Sequence, residues 1–128
     1  MSAPKQIIVM RKDLNMRKGK MISQGAHASM AVILNMGIKI ADRFSIDPLP
    51  QATIEWLKGS FTKITVYVNS EQELLDIYTK AQAAGTPCAL ITDAGKTEFN
   101  GVPTNTCCAI GPDYPEVLDP ITKHLPLL

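Results

Sequence analysis

Residues 17–34 read RKGKMISQGAHASMAVIL, and the reading of this stretch decides the fold. At 3.6 residues per turn it forms one helix entered through a basic turn. Lys20, Ser23, Gln24 and His27 then share a narrow stripe, because steps of three, four and seven return to the same face. Met21, Ile22, Met30, Val32 and Ile33 supply bulk elsewhere, and Gly25, Ala26, Ala28, Ser29 and Ala31 let neighbouring backbone come close. A surface helix shows the reverse proportions, an apolar stripe on a polar cylinder. The stretch is therefore expected to be buried on most sides, with its polar stripe lining a cleft. An amine, an amide and an imidazole would converge there. The competing reading makes the stripe a solvent-facing edge and His27 a satisfied structural residue.

Outward from this helix, Gln6–Met10 (QIIVM) is a nearly continuous apolar run with β-branched residues, which suits a strand covered on both faces. Residues 11–18 carry charges and no apolar period, and read as the loop between strand and helix. Strand, short loop and helix open an α/β layer fold. Downstream, Gly37 ends the helix and Pro48 and Pro50 break the following segment. Gln51–Lys58 makes a short helix stopped at Gly59. Trp56 is expected to be a packing anchor, since aromatics are scarce and no second one lies beside it.

Thr62–Val68 alternates and is rich in β-branched residues, the clearest strand. Asn69 or Ser70 followed by Glu71 and Glu73 starts a helix, with acids at its positive end. Leu74, Leu75, Ile77, Tyr78 and Ala81 form its apolar face, and Gly85 with Pro87 stops it. Cys88–Ile91 and Thr106–Ile110 are two further strands. Val117–His124 is a last short helix, after which Leu125–Leu128 should pack on the body. The result is an α/β fold, a four-stranded sheet flanked by helices, in which helix-length crossovers favour mainly parallel neighbours.

Composition bounds the class. A chain of 128 residues, 45% hydrophobic and 20% charged, is expected to be one soluble domain. No apolar run approaches membrane-spanning length and the start lacks a signal-peptide pattern, which points to the cytoplasm. Three cysteines, two of them adjacent at Cys107 and Cys108, make a poor disulfide framework, and neighbours on a strand point to opposite faces. The net charge of +1 is unevenly spread: through Arg43 there are eight Lys or Arg against two Asp, and afterwards five against ten acids. A basic surface at Arg11, Lys12, Arg17, Lys18 and Lys20 would attract phosphate, or is a solvated basic loop.

At the end of the strand Cys88–Ile91 come Thr92 and Asp93, followed by Ala94, Gly95, Lys96 and Thr97. Ligand sites in open α/β sheets gather at the carboxyl ends of strands, so this Asp is a functional candidate. Alternatively it caps a turn, as Asp before Gly often does.

Three separated pieces, Lys18-Gly19-Lys20 with Gln24 and His27-Ala28, then Asp93-Ala94-Gly95-Lys96-Thr97, then Thr106 through Ala109-Ile110-Gly111-Pro112 with Ile121-Thr122-Lys123-His124-Leu125, resemble the second class of peptidyl-tRNA hydrolases. The match spans nearly the whole chain in motif order. The resemblance implies an α/β sandwich with a small mixed sheet, frequently a homodimer, without metal or organic cofactor. The activity it implies is hydrolysis of the ester joining a peptide to the terminal ribose of tRNA. Lys20, Gln24, His27, Asp93 and Thr97 align with the family's polar cleft, and Thr104 or Thr106 lies where it has a hydroxyl. Lys96 stands where the family usually has Arg, keeping the charge without the planar fork. Gly25-Ala26 replaces a Cys-Ser pair, the loop Gly101–Asn105 differs, and residues 38–60 differ in length and character.

For ester hydrolysis, Lys20 is the expected electrophile toward a developing oxyanion. Asp93 would take a proton from water or orient His27, an imidazole being suited to acid–base work near neutrality. Gln24 and Thr97 would position carbonyl or water, and Arg11, Lys12, Arg17, Lys18 and Lys96 would hold the tRNA end. Two rivals use the same residues differently: an RNA-binding or regulatory domain without catalysis, and a phosphoacceptor receiver. The receiver needs paired acids after its first strand, where this chain has Arg11 and Lys12.

Overall fold

A computed structural model describes residues 2–96 and 98–128. The first strand, β1 (Lys5–Arg11), leads through a short loop into α1 (Lys18–Asn35). A small hairpin follows, β2 (Ile38–Ile40) and β3 (Arg43–Ser45), then α2 (Gln51–Lys58). β4 (Lys63–Val68), α3 (Glu71–Ala83), β5 (Cys88–Asp93), β6 (Thr104–Asp113) and α4 (Pro115–Thr122) complete the chain.

The main sheet is mixed, ordered β4-β1-β6-β5. β1 pairs parallel with β4, Ile8 facing Thr65 and Val9 facing Val66, whereas β6 is antiparallel to both β1 and β5. The expected preference for parallel neighbours therefore fails at two of the three pairings. Helical crossovers do run β1, β4 and β5 in one direction. β6 follows β5 through a loop, reverses, and inserts between strands that would otherwise be parallel neighbours.

Side-chain alternation along β1 explains the layers. Ile7 and Val9 join Leu74 and Ile77 of α3 and Leu118 and Ile121 of α4 in one core. Ile8 and Met10 join Ala28 and Val32 of α1 in the other. A strand with both faces covered needs no polar positions, hence the unbroken run. The adjacent cysteines split the same way, Cys108 entering the first core and Cys107 the second. Ser70 caps α3, its hydroxyl accepting from the Glu73 backbone N–H at 3.1 Å, the expected start signal in three dimensions.

Three expectations need correction. α1 buries only Gln24, Gly25, Ala28 and Val32 fully, while Ile22 is 72% and Met30 58% exposed. The helix packs chiefly on β6 and β5 and less on β1, so its flank toward β4 stays open. Trp56 is indeed a buried anchor, its Nε1 donating to the Thr62 carbonyl at 2.8 Å. It does have an aromatic companion, however: the Phe61 ring lies 4.4 Å away. The two strands β2 and β3 had no turn signature, because the tight turn uses Ala41 at φ +54° rather than Gly or Asn. At the other end the tail runs along the β4 edge, Leu128 N–H donating to Thr65 O at 3.1 Å, but against expectation the Leu127 and Leu128 side chains stay exposed. Among the described residues, no helix is long and apolar enough to cross a membrane.

Leu74 is fully buried where α3 meets the sheet. Leu74→Ala should lower unfolding free energy by about 2–5 kcal/mol in urea titration. A loss below about 1 kcal/mol would contradict this placement of the core.

Candidate active site

The polar cleft lies where the first half of α1 crosses the carboxyl end of β5. Lys20, in the first turn of the helix, places Nζ 2.9 Å from Asp93 Oδ1, although 73 residues separate the two in sequence. Their side chains are 16% and 14% exposed, a pair sheltered from solvent yet reachable from it. Gln24, a turn further, is buried; its Nε2 donates to the same Asp93 oxygen at 3.4 Å, and its Oε1 accepts from Thr106 Oγ1 at 2.5 Å. Step-of-four spacing on α1 thus delivers an ammonium and an amide to one carboxylate.

The other Asp93 oxygen accepts the Gly95 backbone N–H at 2.8 Å. Gly95 adopts φ +83°, and a Cβ there would stand 2.3 Å from the Val102 carbonyl, so the turn needs glycine on both counts. The turn-capping reading of Asp93 and the functional one thus coexist: one oxygen fixes the turn and the other faces the cleft. These contacts hold the Asp93 carboxyl below the ordinary carboxylate range. The Lys20 hydrogen bond is the largest cause, then the Gly95 N–H; partial burial opposes them, and the charges of Lys20 and His27 reinforce them. His27 is solvent-exposed on the next turn of α1, near enough for its charge to act on Asp93.

The remaining candidates divide. Thr106 is fully buried behind Gln24, so its hydroxyl positions the amide instead of meeting a ligand. Thr104 opens β6 and donates to the Val102 carbonyl at 2.8 Å. Lys96 is exposed beside Gly95, and Lys18 is exposed at the start of α1. Lys12 is exposed with Nζ 4.4 Å from the Tyr67 ring centroid, and Arg17 is open to solvent with Glu98 at 3.7 Å. Arg11 differs from the expectation of a phosphate contact. Its guanidinium is 10% exposed, bonds to both oxygens of Asp13 at 3.2 and 2.7 Å, and reaches the Asn105 carbonyl at 3.0 Å. It braces the β1–α1 loop against β6. Thr97 lies outside the described residues.

Sequence reasoning missed Phe99, whose ring centroid is 5.8 Å from Lys20 Nζ, and Asn105, which accepts from Thr92 Oγ1 at 2.6 Å through its side chain. Both sit in or beside a loop without period, where no local pattern marks a side chain that meets a distant helix. Among the described residues no cluster of three or more His, Cys, Asp or Glu could hold a metal ion. An apolar groove of about 1020 Å³ lies elsewhere, between α1 and α2, lined by Met21, Ile22, Met30, Trp56, Leu57 and Phe61, with none of Lys20, Gln24, His27 or Asp93 on it.

Fold and cleft together define a class: a small mixed-sheet α/β protein that aims an ammonium and a buried amide, both from one helix, at a strand-end carboxylate. The model of the family Peptidyl-tRNA hydrolase PTH2 matches residues 4–128, and the chain belongs to that family. It is 45% identical to a peptidyl-tRNA hydrolase of Methanocaldococcus jannaschii over 124 residues, 97% of this chain and 99% of that protein. The corresponding proteins of Methanococcus vannielii and Haloquadratum walsbyi are 40% and 38% identical, each over 123 residues, 96% of this chain and 97% and 98% of theirs.

In a carbon-13 titration, the Asp93 carboxyl should titrate below the ordinary value of about 3.9 and move up toward it in Lys20→Ala. Because the folded value is the lowered one, the pair stabilises above the unfolded value, and that contribution fades as pH falls through the folded one. The stability gap between wild type and Lys20→Ala should therefore narrow in acid; a gap undiminished at about pH 2 would contradict the pairing.

Proposed function

We propose that this chain, acting as one domain over residues 1–128 in the cytoplasm, hydrolyses the ester that joins a peptide to the terminal ribose of tRNA. The observation that carries the reading is the Lys20 ammonium on Asp93 at 2.9 Å, inside a family whose curated relatives are named for that reaction. In the reaction, a water oxygen bonds to the ester carbonyl carbon and the carbonyl oxygen takes up negative charge. Collapse then breaks the carbon–oxygen bond to ribose, leaving a free peptide acid and a tRNA hydroxyl. Lys20 faces the developing oxyanion and stabilises charge present only in the transition state.

Asp93 is a poor proton acceptor in this arrangement, because the contacts that hold it ionised also lower its basicity. Its role is to fix Lys20 and to orient the attacking water. His27, exposed one turn from Gln24, accepts the proton from water and returns it to the ribose oxygen. Gln24, locked by Thr106, orients the ester, and Thr97 keeps the positioning role that the family resemblance implies. Lys12, Arg17, Lys18 and Lys96, all exposed, hold the phosphates of the acceptor end, and no cofactor or metal takes part.

The protein works as a homodimer. Ile22 and Met30, on the α1 wall of the groove, continue into Leu34 as an exposed apolar ridge along the same helix. One apolar patch of this kind can meet its own copy about a two-fold axis.

Single-turnover hydrolysis of an N-blocked aminoacyl-tRNA is the test. Lys20→Ala and Asp93→Asn should each lose about 10²-fold or more in rate, the scale of a lost oxyanion partner. His27→Ala should lower the rate by about 10²-fold, the scale of a lost general acid–base group. Wild-type rates in the Lys20 and Asp93 variants would overturn the assignment.

A further inference from the structure

Among the described residues, β2 and β3 are the strands whose every residue is exposed. A lone two-stranded sheet gains little stability in water, so such an element needs a reason to present apolar side chains. Ile38 and Ile40, two apart on one face, are 63% and 66% exposed. Lys39 and its cross-strand partner Phe44 take the opposite face. Phe44 folds back on the end of α1: a Cβ at Gly37 would meet Phe44 Cζ at 2.5 Å and the Ser45 carbonyl at 2.6 Å. The two isoleucines are thereby held in a set orientation just past the exposed ridge of α1.

We propose that this hairpin is a dimerisation arm whose Ile38 and Ile40 face closes on a second copy of the chain beside the α1–α2 groove. The inference deepens the dimeric reading above and rests on it. Magnitude is the first argument. Six ridge and groove residues (Ile22, Met30, Leu34, Leu57, Phe61 and Leu128) are 46–72% exposed. At on the order of 100 Å² each they offer roughly 600 Å², short of the about 800 Å² per partner that a stable interface buries. Adding Ile38 and Ile40 brings the surface to roughly 800 Å². The groove alone falls short, and the arm makes up the difference.

Charge is the second argument. Residues 38–47 carry Lys39 and Arg43 against Asp42 and Asp47, no net charge, so the hairpin offers no field for phosphate or lipid headgroups. A face bearing both signs equally can match a copy of itself.

Sedimentation equilibrium of the full chain over a dilution series tests this. The substitutions fall on exposed side chains, and circular dichroism checks that the fold is retained. The wild type should dimerise, Ile38→Ser/Ile40→Ser should raise the dimer Kd at least tenfold, Ile40→Lys should act in the same direction, and Lys39→Ser should stay within twofold. A wild-type dimer with the isoleucine variants within twofold would overturn the arm and leave the groove dimer standing. A wild type that stays monomeric throughout would overturn both. Weakened tRNA binding in Ile38→Ser/Ile40→Ser at unchanged Kd would make the hairpin an RNA contact and likewise overturn the arm.

Discussion

One ion pair ties the chemistry to the fold. Lys20 rides on the first helix and Asp93 ends the third strand of the main sheet, and nothing local brings them together. They meet because α1 packs over β6 and β5, with Ala28 and Val32 seated against Cys107, Ala109 and Ala89. Small residues on that seam let helix and sheet approach closely. Reach, orientation and charge at the cleft then follow from packing rather than from any flexible adjustment.

A pair of this kind is useful because it is unequal in what it offers a substrate. Asp93 is fully engaged, with one oxygen on Lys20 and Gln24 and the other on Gly95. Lys20 has a side chain that solvent can reach. In the proposed mechanism an incoming ester shares the ammonium while the carboxylate keeps it in place, so little reorganisation is needed when negative charge appears. Preorganised charge of that sort accounts for much of the rate advantage of enzymes that stabilise oxyanions.

Much of this was legible in the sequence. The QIIVM run, the 17–34 helix, the Ser70 cap and the Asp93 strand end depend on local period and on turn chemistry, and each falls within a residue or two of its expected place. What sequence could not supply was direction and side. The insertion of β6 between β1 and β5 is a decision of the whole sheet, and so is the open flank of α1. The hairpin escaped notice because its turn is Ala41-Asp42, and Arg11 looked like a phosphate ligand because its partners Asp13 and Asn105 come together only in the folded chain. At the cleft, spacing on α1 was readable, whereas Phe99 and the burial of Thr106 depend on loop geometry.

The central claim is that Lys20 and Asp93 act as one unit, and a double-mutant cycle on the single-turnover rate tests it most directly. Lys20→Met, Asp93→Asn and the double variant are compared with wild type on an N-blocked aminoacyl-tRNA. If the pair is a unit, the double variant should be about as slow as the slower single variant, as groups acting together are strongly non-additive. Rate losses that multiply, as for independent sites, would contradict the account.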